Sequence, residues 1–451
     1  MIPSAFLDRM QEMLGEEYGD FLAALETPSV RAMRVNSFKT EADRVFSSLN
    51  IPRRPVPYLS DGFYLAEGEK IGAHPLHHAG AFYLQDPGAM ATVAAAPIER
   101  GFRVLDVCAS PGGKSSQLAS LIGEEGLLVS NEISLARCRT LYGNIERLGI
   151  PNVIVTNTDA STLGGWFDGY FDLVLVDAPC SGEGMFRKYE IAREEWSEEN
   201  VSRCAARQRE ILDSVAGTVK ADGYLLYSTC TFSREENEDT VEAFLASHPD
   251  FFAVMPNDAL LPHTRRGKET PHADGECFRR FYPHVSPGEG QFLALLKREG
   301  GSEGRGILYK DALKPLEKMD KKDLSVLRAF WGDTFEIPMP PMGLLGENVV
   351  IPPCAVPPAF VFAAGITVGT VIKGRVEPHH QLFSALGNRM KRKLYFSSDS
   401  AEIARYLRGE TLSVSVPDGF AAVFADGCAV GGAKVVGGTA KNRYPKGLRT
   451  N

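Results

Sequence analysis

Two cysteines sit in settings that suit covalent chemistry: Cys180 in DAPCSG and Cys230 in STCT. Asp177 stands at the head of the first motif, and each motif closes an apolar run, FDLVLV in one case and GYLLY in the other. If these runs are neighbouring strands, they lie about 4.8 Å apart, and both thiols and the carboxylate share one rim. Such a set can supply a nucleophile, a second thiol and a hydrogen-bonding acid. Cytosine C5 is too weak a nucleophile to attack a sulfonium methyl directly. A thiolate added at C6 turns C5 into an enamine carbon that can. A carboxylic acid at N3 stabilises the adduct. Afterwards the C5 proton must leave and the thiol must be eliminated, a step a second thiol can assist. A free thiol has a pKa near about 8.5, so the nucleophile needs help to ionise, either from a positive sulfonium or from Lys114. The alternative is a pair of inert buried cysteines, and the succession of Pro-Cys and Thr-Cys at two strand ends weighs against it. A DPPY-type motif is absent, which argues against methylation of an exocyclic amine.

A ligand turn precedes them. VLDVCASPGGKS is a short apolar run, then a Gly-rich turn, then a helical start. Gly112 and Gly113 let backbone N–H groups approach a ligand, and the helix N-terminus behind them favours a carboxylate. The spacing is not that of a phosphate-binding P-loop. Glu132 and Asp159 end the next two strands. The first can accept both hydroxyls of a ribose, and the second is placed to meet an adenine amine. Each alone could be a helix N-cap; together with the turn they suit an adenosyl ligand.

The elements that must position these residues alternate strand and helix from residue 81 to about 300, the pattern of a parallel sheet covered on both faces. FRRFYPHV and GQFLALLKR suggest an antiparallel pair at its end, and Ser233 with Glu236 suggests a capping box opening a helix. The chain before this region opens with two amphipathic helices and a strand at RAMRVN. Residues 299–306 form a polar, Gly-rich linker, and the last stretch has short strands between turn signals. The chain has 451 residues, enough for several domains. Its eight cysteines show no CxxC pair, so no metal site is expected. Scattered thiols suit a cytoplasmic protein, and neither a membrane span nor a secretory signal is expected. Net charge is −8, but residues 371–451 carry thirteen Lys/Arg against six Asp/Glu, with basic runs at Arg389–Lys393 and Lys441–Arg449. A basic tail on an acidic body suggests a phosphate-backbone partner. The pairs His77–His78 and His379–His380 are expected to be surface or turn residues.

The pieces QDPGAM, LDVCASPGGKS, SNE, TNTDA, DAPCSGEGMFRK, ARQREIL and YSTCTFSREENE, in this order, resemble the Nol/Nop/Sun family of RNA 5-methylcytosine methyltransferases. The resemblance implies an α/β fold: a Rossmann-like class I methyltransferase core using S-adenosylmethionine. It implies Cys230 as nucleophile, Cys180 as release base and Asp177 on the target base. It also implies a cofactor site of Cys108, Ala109, Ser110, Pro111, Gly112, Gly113, Lys114, Glu132, Asp159 and Asp177. FYPHVSPGEGQFLALL, YLRGETL and KNRYPKGLR are similar to the family's bacterial ribosomal-RNA branch, which ends in a PUA-like RNA-binding module. RAMRVN is similar to an RNA-contacting extension. The implied layout is an N-terminal extension over 1–80, the methyltransferase over 81–300, a middle domain over 307–375 and a PUA-like domain over 376–451. Ribosomal RNA is the favoured substrate and transfer RNA the runner-up. A small-molecule or protein methyltransferase leaves both cysteines unused. A silent RNA-binding factor leaves the intact Cys180, Cys230 and Asp177 without a purpose. Oligomeric state is not legible.

Overall fold

The structure, a computed structural model, describes residues 2–300, 315–357 and 359–450. Most of the Gly-rich linker expected at 299–306 lies outside the described residues. The chain opens with helices α1 (Ser4–Leu14) and α2 (Tyr18–Leu25). Strands β1 (Arg31–Val35), β2 (Gly62–Leu65) and β3 (Phe82–Gln85) then form a small antiparallel sheet with β1 in the centre.

The central sheet starts at β4 (Arg103–Asp106), which feeds helix α3 (Gly113–Ile122). Then follow β5 (Leu127–Asn131), helix α4 (Leu135–Leu148), β6 (Val153–Thr156), helix α5 (Ala160–Trp166) and β7 (Phe171–Asp177). Helix α6 (Glu198–Val215) leads into β8 (Val219–Thr229) and helix α7 (Glu238–Ser247), with β9 (Phe278–Phe281) and β10 (Gln291–Arg298) closing the region. Five strands run parallel in the order β6-β5-β4-β7-β8, and β10 and β9 add antiparallel beyond β8. The run FDLVLV is buried on both faces, as a central parallel strand requires. Helix α6 buries Val201, Cys204, Ala205, Gln208, Leu212 and Val215, one stripe at helical spacing. The chain leaves β4 in both directions across the sheet, so a crevice opens at the carboxyl ends of β4 and β7, where open α/β sheets bind ligands.

Three findings differ from the sequence reading. The segment after the linker is not separate from the core: β11 (Val361–Ala364) pairs antiparallel with β6 and extends the central sheet. Helix α7 begins at Glu238, and only half of the Ser233–Glu236 capping box forms: Ser233 Oγ accepts from Glu236 N at 3.4 Å, while the Glu236 carboxylate is drawn elsewhere by the donors described below. His380 is buried, and His77, His78 and His379 are only partly exposed. Burial pushes His77 and His380 down to about 3, so both are neutral.

The C-terminal residues build a five-stranded sheet in which Lys393–Phe396 runs parallel to Gly419–Ala425. Its core is shared with the N-terminal strands. Met33, Val35, Phe46, Phe63 and Phe82 pack in one cluster with Leu394, Ile403, Tyr406, Val423 and Val430. Part of the basic run is used internally: Arg392 pairs with Asp333 at 3.0 Å and Lys393 with Glu336 at 3.4 Å. Among the described residues no helix is long and apolar enough to cross a membrane.

Candidate active site

Parallel pairing of β7 with β8 sets Asp177 opposite Ser228. Cys180 follows the end of β7 by three residues and Cys230 follows β8 directly, so the two loops leave the sheet side by side. The thiols meet: Cys180 Sγ and Cys230 Sγ lie 3.2 Å apart, half-buried and unbonded. Hydrogen bonding to Cys230, and then burial, push the Cys180 thiol well above the ordinary range. Either sulfur can be the donor across this contact.

Asp177 is held on both oxygens. Lys114 Nζ donates to Oδ2 at 2.8 Å, and Ser228 Oγ donates to Oδ1 at 2.6 Å. The Lys114 ammonium is thus engaged by the Asp177 carboxylate.

The two loops are tied together behind the thiols. Glu236, fully buried, accepts from the Ser181 backbone N–H at 3.0 Å, from the Ser181 hydroxyl, and from Gln208 Nε2 at 2.8 Å. Burial pushes its carboxyl up to about 7, and these donors oppose the rise. Thr231 Oγ1 lies 2.9 Å from Ser181 Oγ. Gln208 also donates to Pro179 O at 2.9 Å. The motifs ARQREIL and SREENE carry these residues, yet nothing local in them points to the clasp.

The turn of Cys108, Ala109, Ser110, Pro111, Gly112, Gly113 and Lys114 sits at the end of β4 as expected. Gly112 has φ +106°, a conformation that strains any other residue. A Cβ on Gly113 would lie 3.1 Å from the Tyr83 ring. The sequence reading missed how this turn is braced. Arg34 on β1, only 2% exposed, donates through Nη2 to Gly113 O at 3.1 Å and to Ser116 Oγ at 2.6 Å. Within RAMRVN the second arginine faces inward onto the Gly-rich turn.

Cavities lie on either side of Cys108. One, about 600 Å³, is lined by Cys108, Glu132, Ile133, Asp159, Pro179 and Ile211 among others. The other, about 250 Å³, is lined by Asp106, Cys108, Gly113, Lys114, Asp177 and Tyr189 among others. Glu132 is 2% exposed. Its Oε1 accepts from Ser134 N at 2.9 Å, while Oε2 lies 3.4 Å from Arg137 Nη2 and has no hydrogen-bond partner among the described residues. Asp106 Oδ1 is likewise unpartnered, and burial pushes this carboxyl up to about 7. Buried acceptors without donors at a cavity fit a ligand that brings hydroxyl or ammonium groups. S-adenosylmethionine brings both, so the residues present fit it. Asp159 is committed differently: its Oδ1 caps α5 through Thr162 N at 2.9 Å, and Oδ2 accepts from Thr162 Oγ1 at 2.9 Å. It also borders the larger cavity, so the N-cap and the cavity wall share this carboxylate.

The brace makes a prediction. Arg34→Lys keeps the charge but loses the fork, costing about 1.5 kcal/mol for one charge-assisted bond. Cofactor Kd by calorimetry is expected to rise roughly tenfold. An unchanged Kd would mean Arg34 only packs.

Three family models match the chain: the N-terminal domain of 16S rRNA methyltransferase RsmF over residues 2–87, 16S rRNA methyltransferase RsmB/F over 93–297, and the methyltransferase RsmF PUA domain over 393–450. Ribosomal RNA small subunit methyltransferase F of Cronobacter sakazakii is 31% identical, with 99% of this chain and 96% of that protein covered. The protein of the same name from Vibrio vulnificus is 32% identical over 75% of this chain and 73% of its own. Among solved structures, a methyltransferase homolog from Pyrococcus horikoshii is 28% identical with TM-score 0.58, covering 66% of this chain and 95% of its own. NSun6 from the same organism, solved with SFG, shares the fold at 20% identity and TM-score 0.57, covering 66% of this chain and 99% of its own. The cofactor is S-adenosylmethionine. With relatives matched along nearly its whole length, the chain belongs to the ribosomal RNA small subunit methyltransferase F family.

Proposed function

We propose that this protein methylates C5 of a cytosine in small-subunit ribosomal RNA through a covalent adduct with Cys230. The observation that carries the reading is the thiol pair at 3.2 Å beside a carboxylate at the ends of two adjacent strands. The relatives' name supplies the RNA. The Cys108–Lys114 turn, Glu132 and Asp106 hold the cofactor. Asp159 borders the adenosyl pocket. When bound, S-adenosylmethionine supplies an electrophilic methyl group.

Each residue then has a task. The Cys230 thiolate, stabilised by the Cys180 S–H, adds to C6, and the displaced electron pair makes C5 nucleophilic. Asp177 in its acid form, oriented by Lys114 and Ser228, donates its proton in a hydrogen bond to N3 as charge develops on the ring. Cys180 Sγ, 3.2 Å from Cys230 Sγ, lies beside the adduct; once its proton has passed to water, it takes the proton from methylated C5. The C6–S bond breaks, Cys230 departs as thiolate, and the S–H···S⁻ pair is restored. The basic residues of 376–451 hold the RNA backbone. We infer the same four units for the chain, 1–80, 81–300, 307–375 and 376–451, with the first and last joined by a common core.

Bisulfite sequencing of total RNA from cells with and without the gene tests the substrate. One cytosine in small-subunit ribosomal RNA is expected to lose protection. Loss in a transfer RNA would move the substrate and keep the chemistry. No change in any RNA would favour a silent RNA-binding factor.

A further inference from the structure

We propose that Glu236 is a positioning residue for product release: it holds Cys180 within reach of the adduct that Cys230 forms. The proposal rests on the assignment of the two cysteines made above.

The segment Ala178–Gly182 has no regular backbone structure to fix it, so Cys180 depends on its neighbours. Gln208 holds the carbonyl of the preceding residue, Pro179, and Glu236 holds the N–H of the following one, Ser181. The Ser181 hydroxyl also donates to Glu236, and it meets Thr231, the residue after Cys230. The carboxylate therefore holds the residue that follows Cys180, and that residue's hydroxyl meets the one that follows Cys230. Its donors here are neutral groups, an amide N–H, a hydroxyl and a carboxamide. A buried carboxylate held by neutral donors alone is costly compared with an apolar side chain of the same size. That cost is repaid only if the acceptor geometry matters. A carboxylate offers acceptors on both oxygens and can meet all three donors at once, whereas a carboxamide must turn an N–H₂ toward one of them. Cys230 needs no such help, because it follows β8 directly. Loosening the clasp should thus displace Cys180 and leave Cys230 able to add.

The test is Glu236→Gln in the full-length protein, with Cys180→Ala and wild type alongside. Each is incubated with cofactor and small-subunit ribosomal RNA, then resolved on a denaturing gel. Glu236→Gln is expected to accumulate covalent protein–RNA adduct, as Cys180→Ala does, while turnover falls roughly tenfold to a hundredfold and cofactor binding by calorimetry stays native-like. Ser181→Ala, which removes one donor to the same carboxylate, is the second variant should Glu236→Gln fail to fold, and is expected to show a smaller accumulation. Slow turnover without adduct in a folded variant, with Cys180→Ala trapping normally, would make Glu236 merely structural and overturn the proposal. Absence of adduct in Cys180→Ala itself would overturn the cysteine assignment, and this proposal with it.

Discussion

Cys230→Ala is expected to abolish methylation, with a loss on the order of 10⁴-fold or more, while cofactor binding persists. The ground is chemical: without a thiolate at C6 the ring offers no nucleophilic carbon to the methyl group. Cys180→Ala is expected to differ in kind. It leaves the attacking thiolate in place but removes the group that accepts the C5 proton, so a covalent protein–RNA species should build up and survive denaturation. The 3.2 Å separation makes the pair sensitive to assignment, since either sulfur is within reach of the same ring. What separates them is their place on the sheet: Cys230 follows β8 directly, whereas Cys180 lies three residues beyond β7. Mass spectrometry of the trapped species on each variant is the check. An adduct formed by Cys230→Ala and not by Cys180→Ala would exchange the two roles.

Asp177→Asn is the second large effect. The side chain keeps its size, and its amide can turn so that Oδ1 accepts from Lys114 and Nδ2 donates to the Ser228 hydroxyl. It then has no acid proton to offer N3 and no charge to balance the ammonium beside the ring-binding position. A positioned acid or hydrogen-bonding partner is worth roughly 10²–10⁴ in rate, and kcat in single-turnover assays is expected to fall by that amount. The Asp177→Asn, Cys180→Ala double variant should form adduct more slowly than Cys180→Ala alone, because N3 is engaged as the thiolate adds. Equal rates would remove Asp177 from the addition step.

The chemistry was legible because it is local. DAPC, STCT and CASPGGK each place a reactive group within a few residues of a strand end, and an apolar run says where that end is. What escaped the sequence depends on distant pairings. Glu236 sits three residues after Ser233, which suggests a capping box, but its partners lie 55 and 28 residues away and offer it three buried donors. Arg34 looks like an exposed cation in a basic hexapeptide, and only the docking of β1 onto α3, 79 residues on, turns it inward. Asp159 shows two uses of one strand-end acid: it lines the larger cavity and also caps the next helix through Thr162. The histidine pairs were placed at the surface because no periodicity marks them, and the packing that buries His380 comes from two separate sheets.

The core shared by the first and last sheets has a consequence for how the molecule is made. Met33, Phe63 and Phe82 emerge from the ribosome early, but Leu394, Tyr406 and Val430, which cover them, emerge last. About 300 residues separate Phe82 from Leu394, so at roughly 5–20 residues/s the early strands wait on the order of 15 to 60 s for their partners. During that interval the first sheet is an unfinished surface, and a nascent-chain chaperone has a defined target and a defined time to leave it.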